Sequence, residues 1–167
     1  SSIMSILLPW LIKIYYKMPP YTYGILITAS GVGSLITAFI FSLRKKWKHR
    51  GLIAYSSFVF VGIVLSGITF INWFPYLIFV MVISGAIIML FSLIWEGSLQ
   101  ELIPIDSFGK VASLDMMGSY ILLPLGYLIT GWLSQSIGGV LTLLYESLFL
   151  VVLSIIPLLI SSIRKFD

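Results

Sequence analysis

The chain has 167 residues, of which 59% are hydrophobic and 10% are charged, and its mean hydropathy is +1.10. A soluble domain carries roughly 25% charged residues, so this composition excludes an ordinary soluble protein and indicates an integral membrane protein. The net charge of +4 comes from basic residues at the edges of apolar runs, which argues against nucleic-acid binding, and the absence of cysteine excludes disulfides and thiolate metal ligands.

Six apolar runs predict six membrane-spanning helices, because backbone groups in lipid must pair internally and a helix pairs them within one segment. The runs do not alternate with polar residues, which favours an all-α bundle over a β-barrel. The predicted spans are residues 3–16, 21–43, 51–71, 76–95, 110–133 and 140–163. The first is shorter than the roughly 20 residues that a crossing needs, so we expect a fragment whose first span has lost its beginning.

One face of the second span carries only small residues, which allows another helix to approach it closely. These residues are Ser30, Gly31, Gly33, Ser34 and Ala38. The fifth span is interrupted by Pro124, with Gly126 nearby. A proline inside a helix frees a carbonyl group, so we expect a kink at this position.

The loop between the second and third spans is the densest cluster of charge in the chain. Its cationic residues are Arg44, Lys45, Lys46, Lys48 and Arg50. Short basic loops stay in the cytoplasm, so this loop predicts the orientation of every span. Eight basic residues then lie inside and two, Lys13 and Lys17, lie outside. We predict a multi-pass plasma-membrane protein with both chain ends cytoplasmic and a polar cytoplasmic loop over residues 96–108.

Carboxylates within or beside the apolar spans are functional candidates, because burying charge in lipid is costly. Two roles are open for Asp115 in the fifth span. It binds a cation or relays protons, or it is a helix-start carboxylate that the helix dipole stabilises. For Glu146, deeper in the sixth span, a paired structural role is favoured. Glu96 borders the fourth span, as a solvated loop residue or a substrate ligand. Beside it, Trp95 offers an aromatic face to a neutral or cationic substrate.

Enzymatic chemistry has no support in the sequence. The only histidine, His49, lies in the basic loop, so no Ser-His pair or histidine metal site is expected in the membrane. No glycine-rich phosphate loop occurs either, so we expect neither a cofactor nor ATP as the energy source.

Two groups of short motifs carry a resemblance. Tyr23-Gly24, TASGVGS (residues 28–34) and LRKK (43–46) are similar to the eighth helix and the following cytoplasmic loop of a major facilitator superfamily transporter, which lie in its C-terminal half. QELIP (100–104), FGKVAS (108–113) and LPLGYLITG (123–131) resemble the tenth-to-eleventh connection and eleventh helix of its macrolide-efflux and enterobactin-exporter branch. The superfamily's loop signature commonly includes an aspartate before the basic run, and this chain has none there.

The resemblance implies that these spans are the seventh to twelfth of twelve, with the N-terminal six-helix half absent. It implies a secondary active transporter that exports a small amphipathic drug or metabolite by alternating access and is driven by protons. The first, second, fourth and fifth spans then face the substrate cavity. The expected partners are the lipid bilayer, the missing half and the small-molecule substrate. The alternative is a non-transporting six-helix subunit that pairs with another membrane chain.

Overall fold

The computed structural model describes residues 2–43, 49–71 and 73–160. Within these ranges all regular structure is helical, which confirms the predicted all-α class. The helices are α1 (Ser2–Trp10), α2 (Tyr21–Ser42), α3 (Arg50–Ser66), α4 (Phe74–Leu102), α5 (Ile105–Ile137) and α6 (Gly139–Leu159). A π-helical turn, Leu11–Tyr15, extends α1, and a 3₁₀ turn, Gly67–Thr69, extends α3.

Five of the described helices, α2 to α6, are long and apolar enough to cross a bilayer. The segment that contains α1 forms a shorter apolar helix over Ile6–Tyr15. It ends where Lys17 adopts a left-handed backbone (φ 51°) before two consecutive prolines. The lengths and composition of these helices agree with a multi-pass membrane protein.

The predicted polar loop over residues 96–108 is wrong, because α4 runs on to Leu102 and α5 already begins at Ile105. The residues that continue α4 include glutamates and a glutamine, which are good helix formers, so the helix extends beyond its apolar part. It stops at Ile103, whose backbone is extended (φ −106°, ψ 126°). A residue that precedes proline disfavours the helical conformation, and Pro104 follows directly.

One other predicted break is also corrected. The connection between the fifth and sixth predicted spans, residues 134–139, shrinks to Gly138, because α5 continues to Ile137 and α6 begins at Gly139. Helix α5 is continuous through Pro124, and the kink expected at this proline stays a prediction. Arg44, Lys45, Lys46 and Lys48 of the basic loop, and the predicted end of the sixth span at residue 163, lie outside the described residues.

Helix α2 packs along α4, and their backbones meet at two glycines. A Cβ atom on Gly33 would collide with the carbonyl oxygen of Val82, and one on Gly85 with that of Ser30. The Ser34 hydroxyl donates a hydrogen bond to the Gly85 carbonyl oxygen at 3.0 Å. Small residues permit this approach, and the hydroxyl adds an interhelical bond in a setting without water.

Gly31 does not take part in this contact, contrary to the sequence prediction. A Cβ atom placed on it would meet nothing within 4 Å, and the residue is exposed. Because two residues correspond to about 200° around a helix, Gly31 and Gly33 lie on nearly opposite sides of α2.

The buried core lies toward one end of the bundle. It joins the α1 segment, the start of α2, the end of α3 and the starts of α4 and α6. Its most enclosed side chains include Leu7, Leu11, Leu26, Ile68, Leu77, Val80 and Leu143. At the other end, α4 and α5 pack less closely, and a cleft lies between them.

Candidate functional site

The cleft between α4 and α5 has a volume of about 650 Å³, within the range of small-molecule sites. It lies toward the end where α4 turns into α5. Its polar and amphipathic lining residues are Ser92, Trp95, Glu96, Gln100, Asp115, Ser119 and Tyr120. Leucine, methionine, phenylalanine and alanine side chains complete the wall. The cleft therefore combines an apolar surface with a few polar groups.

A hydrogen bond joins the two helices across this cleft. The indole Nε1–H of Trp95 on α4 donates to Oδ2 of Asp115 on α5 at 3.2 Å. The indole is held in place from the other side, because it stacks on Phe91 with ring centroids 6.0 Å apart and planes 13° from parallel. Phe91 in turn meets the edge of Phe58 on α3, with centroids 4.9 Å apart. An aromatic row thus runs from α3 to the carboxylate of Asp115.

The position of Asp115 excludes one of the two roles that the sequence left open. Helix α5 begins at Ile105, so Asp115 lies about three turns, or roughly 15 Å, inside it. The helix dipole acts mainly within the first turn, so Asp115 is not a helix-start carboxylate. Asp106 occupies that first turn instead.

The structure brings three of the four candidate residues together. Trp95, Glu96 and Asp115 all line the α4–α5 cleft, and Glu96 lies on helix α4 rather than in a loop. Glu96 is an exposed residue of the cleft lining. The fourth candidate, Glu146, lies in a separate cleft between α5 and α6, where Thr130 donates a hydrogen bond to its Oε1 at 2.6 Å.

Sequence reasoning missed other residues that line the same cleft, although their spacing contains a signal. Ser92, Glu96 and Gln100 recur at intervals of four on α4, and Asp115 and Ser119 do so on α5. Residues at this spacing share one helix face. A polar row of this kind on an apolar span is a detectable pattern.

An ion pair at the same end of the bundle was also not predicted. The Arg50 guanidinium donates to both carboxylate oxygens of Glu101, at 2.6 and 3.0 Å. A two-bond arginine–carboxylate pair is geometrically specific. It joins the start of α3 to the end of α4, so these two helix ends lie on one side of the molecule.

Among the residues that the structure describes, no group of three or more metal-ligating side chains comes together. The features in place are apolar helices long enough to span a bilayer, a close α2–α4 crossing and a cleft that opens between two of these helices. Together they define a multi-pass helical membrane protein with a cleft of small-molecule size.

The family follows from the sequence match. Residues 1–167 match the transmembrane secretion effector family of the major facilitator superfamily, and the chain belongs to this family. The predicted relationship to that superfamily is thereby confirmed, and the chain is of a transporter class rather than an enzyme class. Neither a curated protein nor a solved structure matches the chain.

Proposed function

We propose that this chain is the C-terminal six-helix half of a secondary active transporter, and that the α4–α5 cleft forms part of its substrate path. The observation that carries the proposal is the Trp95–Asp115 hydrogen bond across a cleft of about 650 Å³. A carboxylate inside a membrane span marks a substrate or ion site by default, because its burial is costly. The family supports transport as the activity.

The lining of the cleft favours a neutral or cationic amphipathic substrate. Glu96 and Asp115 supply negative charge, and among the described residues no lysine or arginine lines the cleft. The rings of Trp95 and Tyr120 offer faces that attract a cation and an apolar body. The indole donates to only one oxygen of Asp115, so the other oxygen can accept from an ammonium group of the substrate.

Alternating access driven by protons is the mechanism that we propose. Asp115 would hold either a proton or the cationic substrate, so that uptake of one accompanies release of the other. In its support, the cleft and the buried core lie at opposite ends of the bundle, which leaves one end free to open. The end with the cleft would face the cytoplasm, because it also includes the start of α3 after the basic loop.

The uncovered helices support a second membrane half. Helices α5 and α2 have the smallest buried shares of the five long helices. Both are among the four spans that, by the resemblance, face the substrate cavity. A second six-helix half would cover these faces, and the two halves would rock about the site between them. The same faces also suit the alternative, a six-helix subunit that pairs with another chain.

The direction of transport that we propose is export, and the branch is the macrolide-efflux and enterobactin-exporter one. The support is the resemblance of QELIP, FGKVAS and LPLGYLITG, at residues 100–104, 108–113 and 123–131. The description of the matched family as a secretion effector agrees with export.

The test is proton-driven transport of the cationic dye ethidium by the complete gene product in inverted membrane vesicles. Asp115→Asn should lower the initial rate at least about tenfold, because an amide neither binds a proton nor pairs with a cation. Trp95→Phe keeps the ring but loses the donor, so a loss of a few fold is expected. Asp106→Asn, outside the cleft, is the matched control. Wild-type rates in both cleft variants would refute the proposed site.

The two functional alternatives differ in what the chain does alone. Vesicles that contain only residues 1–167 should show no gradient-dependent dye transport, since one wall of the path is supplied by the other half. Dye transport by a demonstrated monomer of this chain would contradict the half-transporter proposal. If the complete gene product shows no transport unless a second membrane chain is added, the paired-subunit alternative gains.

A further inference from the structure

A second cleft, of about 550 Å³, lies between α5 and α6 near the turn that joins them. Its wall is mostly leucine, isoleucine and aromatic side chains, and Thr130 and Glu146 are among its few polar groups. Along α5, Thr130 lies about 22 Å from Asp115, so the two clefts are separate. The opposite side of α6 packs on α3, where Ser147 is buried and Gly62 contacts Val151.

The two oxygens of the Glu146 carboxylate have different surroundings. Oε1 accepts the hydrogen bond from the Thr130 hydroxyl, and Thr130 is only 2% exposed, so this donor is held in place. Oε2 is also buried, but it has no hydrogen-bond partner in the part of the chain that the structure describes. A buried acceptor without a partner is unfavourable, and more so when it carries charge. The Glu146 carboxylate therefore lacks a second hydrogen-bond donor among the described residues.

The chemistry of the cleft specifies that donor. Of the residues that the structure describes, one carboxylate and no basic residue line it, so a single positive group is complementary. Tyr145 and Phe149 lie one turn apart on α6 and flank Glu146, and aromatic faces attract cations. Both rings are more than half exposed at the cleft surface. The apolar wall suits a hydrocarbon chain.

We propose that the α5–α6 cleft binds an amphiphile with one ammonium group that bears N–H donors, and that Glu146 is its counter-ion. The ammonium group enters the cleft and pairs with the Glu146 carboxylate, while Thr130 keeps Oε1 in place. The alkyl chain lies against the apolar wall between the two helices. This site stands independently of the α4–α5 cleft, and neither proposal requires the other.

The experiment measures binding of radiolabelled dodecylammonium to the chain in phosphatidylcholine nanodiscs, with empty discs subtracted. Saturable binding is expected. Dodecyltrimethylammonium keeps the charge but has no N–H donor, so it should bind about tenfold more weakly, and dodecanol more weakly still. A photoreactive aryl-azide derivative of dodecylammonium should label the segments 126–133 and 145–153.

The matched variants are Glu146→Gln and Asp106→Asn, each of which removes one negative charge. Glu146→Gln should weaken binding about ten- to hundredfold, whereas Asp106→Asn, at the exposed start of α5, should bind as the wild type does. Both variants are checked for a single size-exclusion peak. If Glu146→Gln does not fold, the proposal is tested by the relative binding of the three dodecyl compounds and by the segments that the photoreactive derivative labels. Equal binding of dodecanol, wild-type affinity in folded Glu146→Gln, or labelling confined to the α4–α5 cleft would overturn the proposal.

Discussion

The connection between α5 and α6 depends on a single glycine. Gly138 has φ 84° and ψ 151°, a backbone region that is essentially restricted to glycine. Its carbonyl oxygen accepts from the backbone N–H of Thr142 at 3.1 Å and from the Thr142 hydroxyl at 2.9 Å. The next residue, Gly139, lies directly against the Trp10 ring, with no room for a Cβ atom. This tight turn sets how Thr130 on α5 faces Glu146 on α6.

Replacing Gly138 by alanine should therefore destabilise the protein by about 1–3 kcal/mol, because a Cβ atom is strained at this φ even though the space around it is open. The measurement is the midpoint of thermal unfolding in detergent, followed by tryptophan fluorescence. Gly118→Ala is the matched control, since Gly118 lies inside α5 with nothing within 4 Å of a new Cβ atom. It should leave stability unchanged or raise it by up to about 1 kcal/mol. Equal midpoints in the two variants would contradict this account of the turn.

Among the helices, the α2–α4 pair illustrates how small residues replace the hydrophobic effect in lipid. Apolar side chains gain little from leaving a lipid that is equally apolar, so close backbone contact and interhelical hydrogen bonds hold helices together. Gly33 and Gly85 supply the close contact, and the Ser34 hydroxyl supplies the bond. The two glycines have the same role, because each leaves room for a backbone carbonyl group of the other helix.

Alanine at Gly33 or Gly85 should destabilise this pair by about 1–3 kcal/mol, because the new Cβ atom meets backbone that cannot rotate away. Gly31→Ala is the control on the same helix and should have no such cost. Unfolding by sodium dodecyl sulfate in mixed micelles, followed by circular dichroism, measures the difference. If Gly31→Ala proved as destabilising as Gly33→Ala, the described face of α2 would be wrong.

Over the whole molecule, the two ends differ in packing and in charge. One end holds the buried core, and the other holds the α4–α5 cleft and the Arg50–Glu101 ion pair. The basic loop precedes α3 at the end with the ion pair. By the positive-inside rule, we expect the end with the cleft to face the cytoplasm and the end with the core to face outward.

Cysteine labelling tests this orientation, and the chain has no native cysteine to interfere. Ser107→Cys lies at the exposed start of α5, and Ile71→Cys lies in the exposed connection between α3 and α4. In intact cells, a membrane-impermeant maleimide should label the cysteine at position 71. It should label the one at position 107 only after the membrane is permeabilised. The opposite pattern would reverse the predicted topology.

Local properties of the chain could be predicted from the sequence. Hydropathy and segment length indicated a helical membrane protein, and short motifs indicated the superfamily that the family match confirms. The four-residue spacing of Ser92, Glu96 and Gln100 is also visible in the sequence, so their common helix face could have been predicted as well. The ends of α4 and α5 could not be predicted from hydropathy, because both helices continue beyond their apolar parts. Glutamates and a glutamine continue α4 up to the residue before Pro104.

The pairings between helices were decided by the tertiary structure. Trp95 meets Asp115, Thr130 meets Glu146, and Arg50 meets Glu101. These contacts give three carboxylates different surroundings. Asp115 lines a cleft, Glu146 accepts a hydrogen bond at one oxygen, and Glu101 is an ion-pair partner. The physical reason is that hydropathy reports how one segment interacts with lipid, whereas a hydrogen bond between helices depends on the rotation and depth of both. Rotation and depth are set by the packing of both helices, as at Gly33 and Gly85 between α2 and α4, and the pattern of any single span does not contain them.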